Sequence, residues 1–436
     1  ETWSSLGSGS NHTPINGELG SFYRPDGLLA NSKLKWETTI SRNFGIDFGF
    51  LNNRVNGSLE VYWNTTKDLL MAVPVDNTTG YSYQFQNFGK TSNRGIELSV
   101  NVDVINKGDF RFNVGAIYNY NRNKLDELPN ADQYLYSSYW GSSSLVPTND
   151  YMFVEGKAIG LVRGFISEGY YTVDDFNYTN GQYVLKEGVP DITKALTATY
   201  MHPYDLPAGQ TAFPGAAKFR DVDESGTVDL DDATCLGEVM PRHTGSFQLN
   251  FNYKNFDLST NFNWTAGGKV YNVAAMINAS GQEFDGIGAQ RASWVADAFK
   301  VYNVNAAGDL YAVTNPDELR ALNANAKYHL PYHQSGITSS EWLENGSYLR
   351  LQTLTLGYTL PKNWLAKVHV DKIRLYLTVT NLFTLTGYSG IDPEVNANPT
   401  GQSGFYSDLR IFPTLNMDFG TYPRARTFTF GANITF

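Results

Sequence analysis

The last ten residues, Thr427–Phe436, read T-F-T-F-G-A-N-I-T-F. Phe428, Phe430, Ala432, Ile434 and Phe436 share one face, and Thr427, Thr429, Gly431, Asn433 and Thr435 share the other. A strict period of two predicts a strand with one apolar and one polar side. The apolar side must meet either a protein core or lipid. Because the alternation runs to an aromatic carboxy-terminus instead of a fraying polar tail, the expectation is a strand paired on both sides in a closed barrel.

Composition narrows the choice. Aromatic residues make up 14% of the 436 residues and charged residues only 17%, against roughly 25% charged in ordinary soluble domains. Mean hydropathy is −0.34, and no apolar run approaches the ~18 residues a membrane helix needs. A soluble chain this long would divide into two or three domains. Few charges, many aromatics and no spanning helix instead fit an all-β, transmembrane antiparallel barrel, in which only alternate residues face lipid. A net charge of −10 argues against a nucleic-acid partner, since phosphate binding needs a basic surface. Cys235 is the single cysteine, which rules out an intrachain disulfide and leaves the redox compartment open. Glu1 opens neither on Met nor on a signal peptide, which predicts a processed or partial chain.

Residues 1–33 are rich in Gly, Ser and Asn and read as loop. Alternating runs then predict hairpins. The first turns at Leu51-Asn52-Asn53-Arg54, with Phe44, Ile46, Phe48 and Phe50 leading in and Val55, Leu59, Val61 and Trp63 leading out. The second covers 92–124 and turns at Asn106-Lys107-Gly108. A third is expected to turn at Glu155-Gly156-Lys157, with strands near 149–154 and 158–172. The fourth turns at Asn255, and the fifth joins 347–361 to 372–386, with a last strand at 423–436. Short helices are expected from Asn315-Pro316-Asp317-Glu318 into Leu319–Ala326, and over Arg291–Tyr302.

The connections sort by length. The turns at 51–54, 106–108, 155–157, 255 and 362–371 are short, whereas loops at about 71–91, 125–148, 173–243, 268–346 and 387–422 are long. Short turns at one rim and long loops at the other, with the long loops outside, mark a bacterial outer-membrane barrel. The expected count is about 11 strands, an odd number where single-chain bacterial barrels are even. It is half of the roughly 22 strands of plugged transporters.

Several segments, in order, resemble the carboxy-terminal half of SusC/RagA-type TonB-linked outer-membrane transporters. They include Leu34–Leu70 (LKWETTISRNFGIDFGFLNNRVNGSLEVYWNTTKDLL), Asn87–Val100 (NFGKTSNRGIELSV) and Gly156–Phe176 (GKAIGLVRGFISEGYYTVDDF). Further on come Ala217–Asp232 (AKFRDVDESGTVDLDD), Phe251–Gly268, Tyr348–Pro361 (YLRLQTLTLGYTLP), Leu375–Phe383 (LYLTVTNLF) and Tyr422–Phe436. The resemblance implies a 22-stranded barrel with an amino-terminal plug, energised through TonB and lidded by a SusD-like surface lipoprotein, importing oligosaccharides or oligopeptides. It departs from that pattern in one large way. The plug, the TonB-contacting segment and the amino-terminal barrel half are expected on a missing segment or a separate chain. Alone, this half would expose two strand edges that a bilayer does not tolerate.

One local motif carries metal chemistry. Asp221, Asp223, Ser225, Thr227, Asp229 and Asp232 occupy positions 1, 3, 5, 7, 9 and 12 of a twelve-residue loop with Gly226 at position 6, the spacing of a calcium loop. Asp232 is shorter than the usual Glu, and flanking helices are not evident. The plain alternative is an acidic external turn; the functional one is a structural Ca²⁺ pinning the 173–243 loop. His329 and His333 are four apart, but Pro331 between them argues against a shared helix face. Gly286-Ile-Gly288 lacks the rest of a phosphate loop, and Asn64-Thr-Thr66 implies little in a bacterial protein. No Ser, His and acid spacing points to a barrel hydrolase, so no catalytic residue is expected. Tyr134, Tyr136, Tyr139 and Trp140 could stack on sugars, clamp peptides, pack the mouth or meet a lid lipoprotein. The competing functions are a passive porin-like barrel, which would lack a TonB segment, and a soluble calcium-loaded β-rich binding module, which would need no detergent.

Overall fold

The computed structural model describes residues 6–7, 12–15, 18–21, 24–25, 28–81, 83–128, 133–137, 146–197, 202–280, 292–330, 336–365, 370–395 and 415–436. Nine long strands form one antiparallel sheet, here called the wall. They are β1 (Thr38–Phe50), β2 (Val55–Lys67), β3 (Lys90–Lys107), β4 (Phe110–Glu127), β5 (His243–Tyr253), β6 (Phe256–Ala266), β7 (Tyr348–Thr359), β8 (Lys372–Thr386) and β9 (Thr427–Thr435). Each pairs with its predecessor in sequence, and the sheet is open, with β1 and β9 as its edges among the described residues. At about 3.4 Å per residue and a tilt near 40°, the 13 residues of β1 cover roughly 30 Å, enough for the ~25 Å apolar band of a membrane barrel.

Register shows why the alternation matters. One row runs Phe48, Gly57, Val100, Ala116, Phe247, Phe262 across six strands, and the next runs Gly49, Asn56, Asn101, Gly115, Gln248, Asn261. Across these rows one face is apolar and the other polar. Apolar-face side chains such as Phe44, Phe50, Phe428 and Phe430 are exposed among the described residues, which is the arrangement lipid requires. Near the short turns, Phe110, Tyr253, Phe256 and Tyr358 stand opposite one another in a single row, the aromatic girdle expected at a membrane interface. Toward the long loops the same face carries Trp63, Tyr118, Tyr120 and Trp264.

The tight turns follow local chemistry. Leu51, Asn52 and Asn53 all have positive φ (56°, 57° and 65°), a region Asn tolerates better than most residues. On the polar face, Gly95 is required because the Tyr62 ring lies over it and a Cβ there would overlap the phenol.

Two expectations change. The pair near 149–154 and 158–172 does not join the wall. Tyr151–Val154 and Leu161–Gly164 instead form a separate four-stranded sheet with Gln133–Tyr136 and Thr234–Glu238. Tyr151, Met152 and Phe153 are all buried in succession, so both faces of this strand meet protein, which neither a lipid face nor a lumen face allows. The expected loops 125–148 and 173–243 are thus one excursion over 128–242. Residues 1–33 also hold short paired strands, His12–Ile15 with Glu18–Ser21 and Leu28–Leu29 alongside Tyr83–Asn87.

The four long connections, at 68–89, 128–242, 267–347 and 387–426, meet in one body over the long-loop rim. Its first core draws Met71 and Phe88, Tyr136 and Tyr151, Tyr271, Met276, Trp294 and Trp342, and Met417 from all four. A second core gathers Phe165, Tyr171, Phe213, Phe299 and Leu319. Lys269–Asn272 stitches the loops by pairing with Leu343–Asn345 on one side and Met417–Asp418 on the other. The expected helix after Asn315 runs Pro316–Leu322, with the Asn315 side chain accepting from the amides of Asp317 and Glu318. The second is Ala292–Asp297, and a further helix, Val273–Ser280, was not legible in the pattern.

Candidate functional site

The acidic loop lies on the second core. Thr227–Val228 pairs in parallel with Asp191–Ile192, and buried Val228 anchors the loop below. Carboxylate oxygens of Asp221, Asp223 and Asp232 all come within 4.8 Å of one another, so three of the six spaced residues converge. Asp221 accepts from the amides of Ser225 (3.1 Å) and Gly226 (2.7 Å), and Asp223 accepts from Ser225 (3.0 Å). The hydrogen bond from Ser225 holds the Asp223 carboxyl below its ordinary value. Ser225 Oγ donates to the Thr227 carbonyl at 3.0 Å. Asp229 turns away to cap the short helix Leu230–Asp232, accepting from Asp231 N at 2.8 Å. Buried Asp232 accepts on Oδ1 from Val222 N (2.6 Å) and Asp223 N (3.3 Å) and on Oδ2 from Asp229 N (2.8 Å). Asp232 Oδ1 is filled by its two amide donors, whereas Asp232 Oδ2 and both oxygens of Asp221 and Asp223 keep a lone pair, so the three converging acids retain the capacity for a hard cation.

The polar face of the wall presents a second element. Ser41, Asn43, Glu60, Asn64, Asn93 and Glu97 line a hollow of about 500 Å³. Asn43 donates to Glu60 at 2.9 Å, and Tyr62 donates to Asn121 at 3.1 Å. Near the long-loop rim, Arg350 projects from β7 on the same face and is almost fully buried. It meets Asp392 at 2.5 Å and Glu394 at 3.1 Å, and Glu394 meets Arg424 at 2.5 Å. This network ties the chain after β8 to the chain before β9. Sequence reasoning missed it, although an arginine among the Leu and Thr of YLRLQTLTL and the acid pair of Asp392-Pro393-Glu394 were the available signals.

Other candidates resolve more simply. Tyr136 is buried against Tyr151 and Phe153, and Tyr134 packs edge-on to Phe88, so both serve mouth packing. Tyr139, Trp140, His333, Gly286 and Gly288 lie outside the described residues. His329 is buried edge-on to Trp294, and burial pulls its pKa down to about 4.

Comparison with known proteins fits this architecture. Residues 5–382 match the family described as TonB dependent receptor-like, beta-barrel. TonB-dependent receptor P3 of Formosa agariphila is 30% identical over 409 residues, covering 94% of this chain and 35% of the relative. TonB-dependent receptor SusC of Bacteroides thetaiotaomicron is 26% identical over 416 residues, covering 93% and 32% respectively. The chain thus spans about a third of the length of these relatives. The structure of the RagAB peptide transporter superposes with a TM-score of 0.65 at 21% identity, over 100% of this chain and 38% of that one. The chain belongs to the TonB-dependent receptor β-barrel family, an outer-membrane transport family and not an enzyme family.

Proposed function

We propose that this chain is the carboxy-terminal wall and external-loop body of an active importer of oligosaccharides or oligopeptides. The observation that carries the reading is the open wall: nine sequential strands, lipid-type on one face and polar on the other, ending at two edges, β1 and β9. Unpaired backbone at an edge is not tolerated in hydrocarbon, so these edges call for the strands of an amino-terminal barrel half. That half carries the plug, and the plug segment contacts TonB. The loop body receives a SusD-like surface lipoprotein. The family match supports import, and the likeness to a complex described as a peptide transporter supports the oligopeptide class. The test is composition of the detergent-purified particle, run unboiled. A plug and TonB segment co-migrating with this wall are expected; a monodisperse, detergent-free chain would overturn the reading.

Calcium is the cation that the Asp221, Asp223 and Asp232 donor set suits, because it accepts several oxygen ligands in flexible geometry. Ser225, Thr227 and Asp229 complete the spaced set, with Asp229 acting through the loop's fold since its carboxylate is engaged elsewhere. The role is to pin the 173–243 segment. Protease cleavage in that segment should slow at least fivefold on adding millimolar Ca²⁺ to EDTA-treated receptor, and Asp221→Asn with Asp223→Asn should abolish the protection. Equal cleavage with and without Ca²⁺ would remove calcium from the account.

A further inference from the structure

The lipid-type face of β1–β4 carries a feature that transport does not require. Arg42 stands opposite Trp63, Trp63 opposite Arg94, and Arg94 opposite Arg122, in one unbroken row across four adjacent strands. Neighbouring strands are about 4.8 Å apart, so three guanidinium groups share a span of roughly 15 Å. All three arginines are exposed. None forms an ion pair among the described residues. The nearest acids in register, Glu60 and Glu97, lie on the opposite face of the sheet. On the arginines' own face Lys124 follows in the next row, already engaged with Asp126 at 3.5 Å.

Position gives this row its meaning. It sits at the long-loop end of the wall, where a barrel of this type meets the outer leaflet. One row toward the midplane lie Phe44, Val61, Ile96 and Tyr120, where the apolar band begins. A groove of about 540 Å³ runs beneath, lined by Val61, Trp63, Arg94, Ile96 and Tyr120 among others. The same face of β5, β6 and β7 holds no arginine or lysine; its positions toward that rim are His243, Trp264 and Leu349. A chain with a net charge of −10 has therefore placed three cations without an ion pair in one row, with Trp63 between the first two, on one sector of its lipid-facing rim. Arginine forks match phosphate oxygens bidentately, and a cation at this depth is stabilised by an anionic headgroup.

We propose that Arg42, Arg94 and Arg122, with the groove below them, bind a phosphorylated lipid of the outer leaflet. Its phosphates lie across the arginine row, and an acyl chain follows Val61, Ile96 and Tyr120. The site is independent of the imported nutrient, so it stands or falls apart from the substrate reading. The experiment is native mass spectrometry of the full-length receptor in detergent, titrated with diphosphoryl lipid A. Parallel arms use the same lipid with its phosphates removed, and inorganic phosphate as competitor. Wild type should retain the phosphorylated lipid, and Arg42→Ser, Arg94→Ser, Arg122→Ser together should weaken it roughly 100-fold, with heat-modifiable gel mobility unchanged. Undiminished binding by the triple variant would overturn the proposal. Should that variant fail to assemble, the wild-type arms still decide. Equal retention of the dephosphorylated lipid reduces the site to a greasy groove, and equal competition by inorganic phosphate reduces it to an anion site; either result refutes a lipid site.

Discussion

Phe430 in the wall is 78% exposed, whereas Phe165 in the loop body is fully buried. Phe430 stands opposite Leu377 on the apolar face of the wall. Phe165 is enclosed by Phe219, by Thr338, whose carbonyl accepts its amide at 2.9 Å, and by the second core. The wall turns its apolar side chains outward and closes its backbone through ladder hydrogen bonds. The loop body turns them inward and gains its stability from exclusion of water. One chain thus folds under two solvents, and the same residue type carries opposite energetic weight in each.

The sharpest way to break that comparison is truncation on both sides of it. Phe165→Ala should destabilise the loop body by about 3–5 kcal/mol, because the surrounding core cannot fill the cavity. Phe430→Ala should cost under ~1 kcal/mol, since lipid chains occupy the vacated space. Limited proteolysis reads the first and urea unfolding in detergent the second. Equal losses would mean that the wall is packed against protein on its apolar side.

Charge sharpens the same contrast within a single strand. Val100 and Asn101 are neighbours in β3 on opposite faces. Val100→Arg should cost about 2–4 kcal/mol near the membrane midplane. Asn101→Arg, toward the polar face, should cost less than ~1 kcal/mol by the same scale. A ratio near one would show that the two faces are misassigned.

These contrasts also explain what could be read from sequence. Wall strands announce themselves because one face must be apolar across the hydrocarbon band, and Phe44–Phe50 or Thr427–Thr435 state that rule in the pattern itself. The loop body obeys no period. In Tyr151-Met152-Phe153 every side chain is buried, so alternation fails, and an apolar run of this kind reads equally well as a wall strand. The capped helix at Pro316–Leu322 was legible because Asn315 and Pro316 act locally. Val273–Ser280 was not, because its cap, Asn272, which accepts from Ala275 N at 2.9 Å, is also the last residue of the strand Lys269–Asn272. The acidic loop was visible from spacing, but only folding reveals that Asp221, Asp223 and Asp232 converge while Asp229 serves as a cap. Arg350 and Asp392 are 42 residues apart, a distance over which no motif speaks.

Two buried groups of the loop body titrate in opposing senses. Burial lifts the Glu341 carboxyl to about 7 and drops the His329 imidazole to about 4. A raised acid contributes stability that is present below its unfolded value, about 4.3, and is lost as pH rises through the folded value. A depressed histidine contributes stability that is present above its unfolded value, about 6.5, and is lost as pH falls toward the folded one. Between about pH 4.5 and 6.5 the folded state keeps a proton on Glu341 that the unfolded state has released. Over the same window the unfolded state binds one at His329 that the folded state refuses. The two slopes, each up to about 1.4 kcal/mol per pH unit, have opposite signs and nearly cancel there. Glu341→Gln should therefore leave a loop body whose protease resistance climbs from pH 4.5 to 6.5, and His329→Gln one whose resistance declines over that range. The double variant should return the flat profile of wild type, and a sloping double variant would show that other buried groups set the pH response.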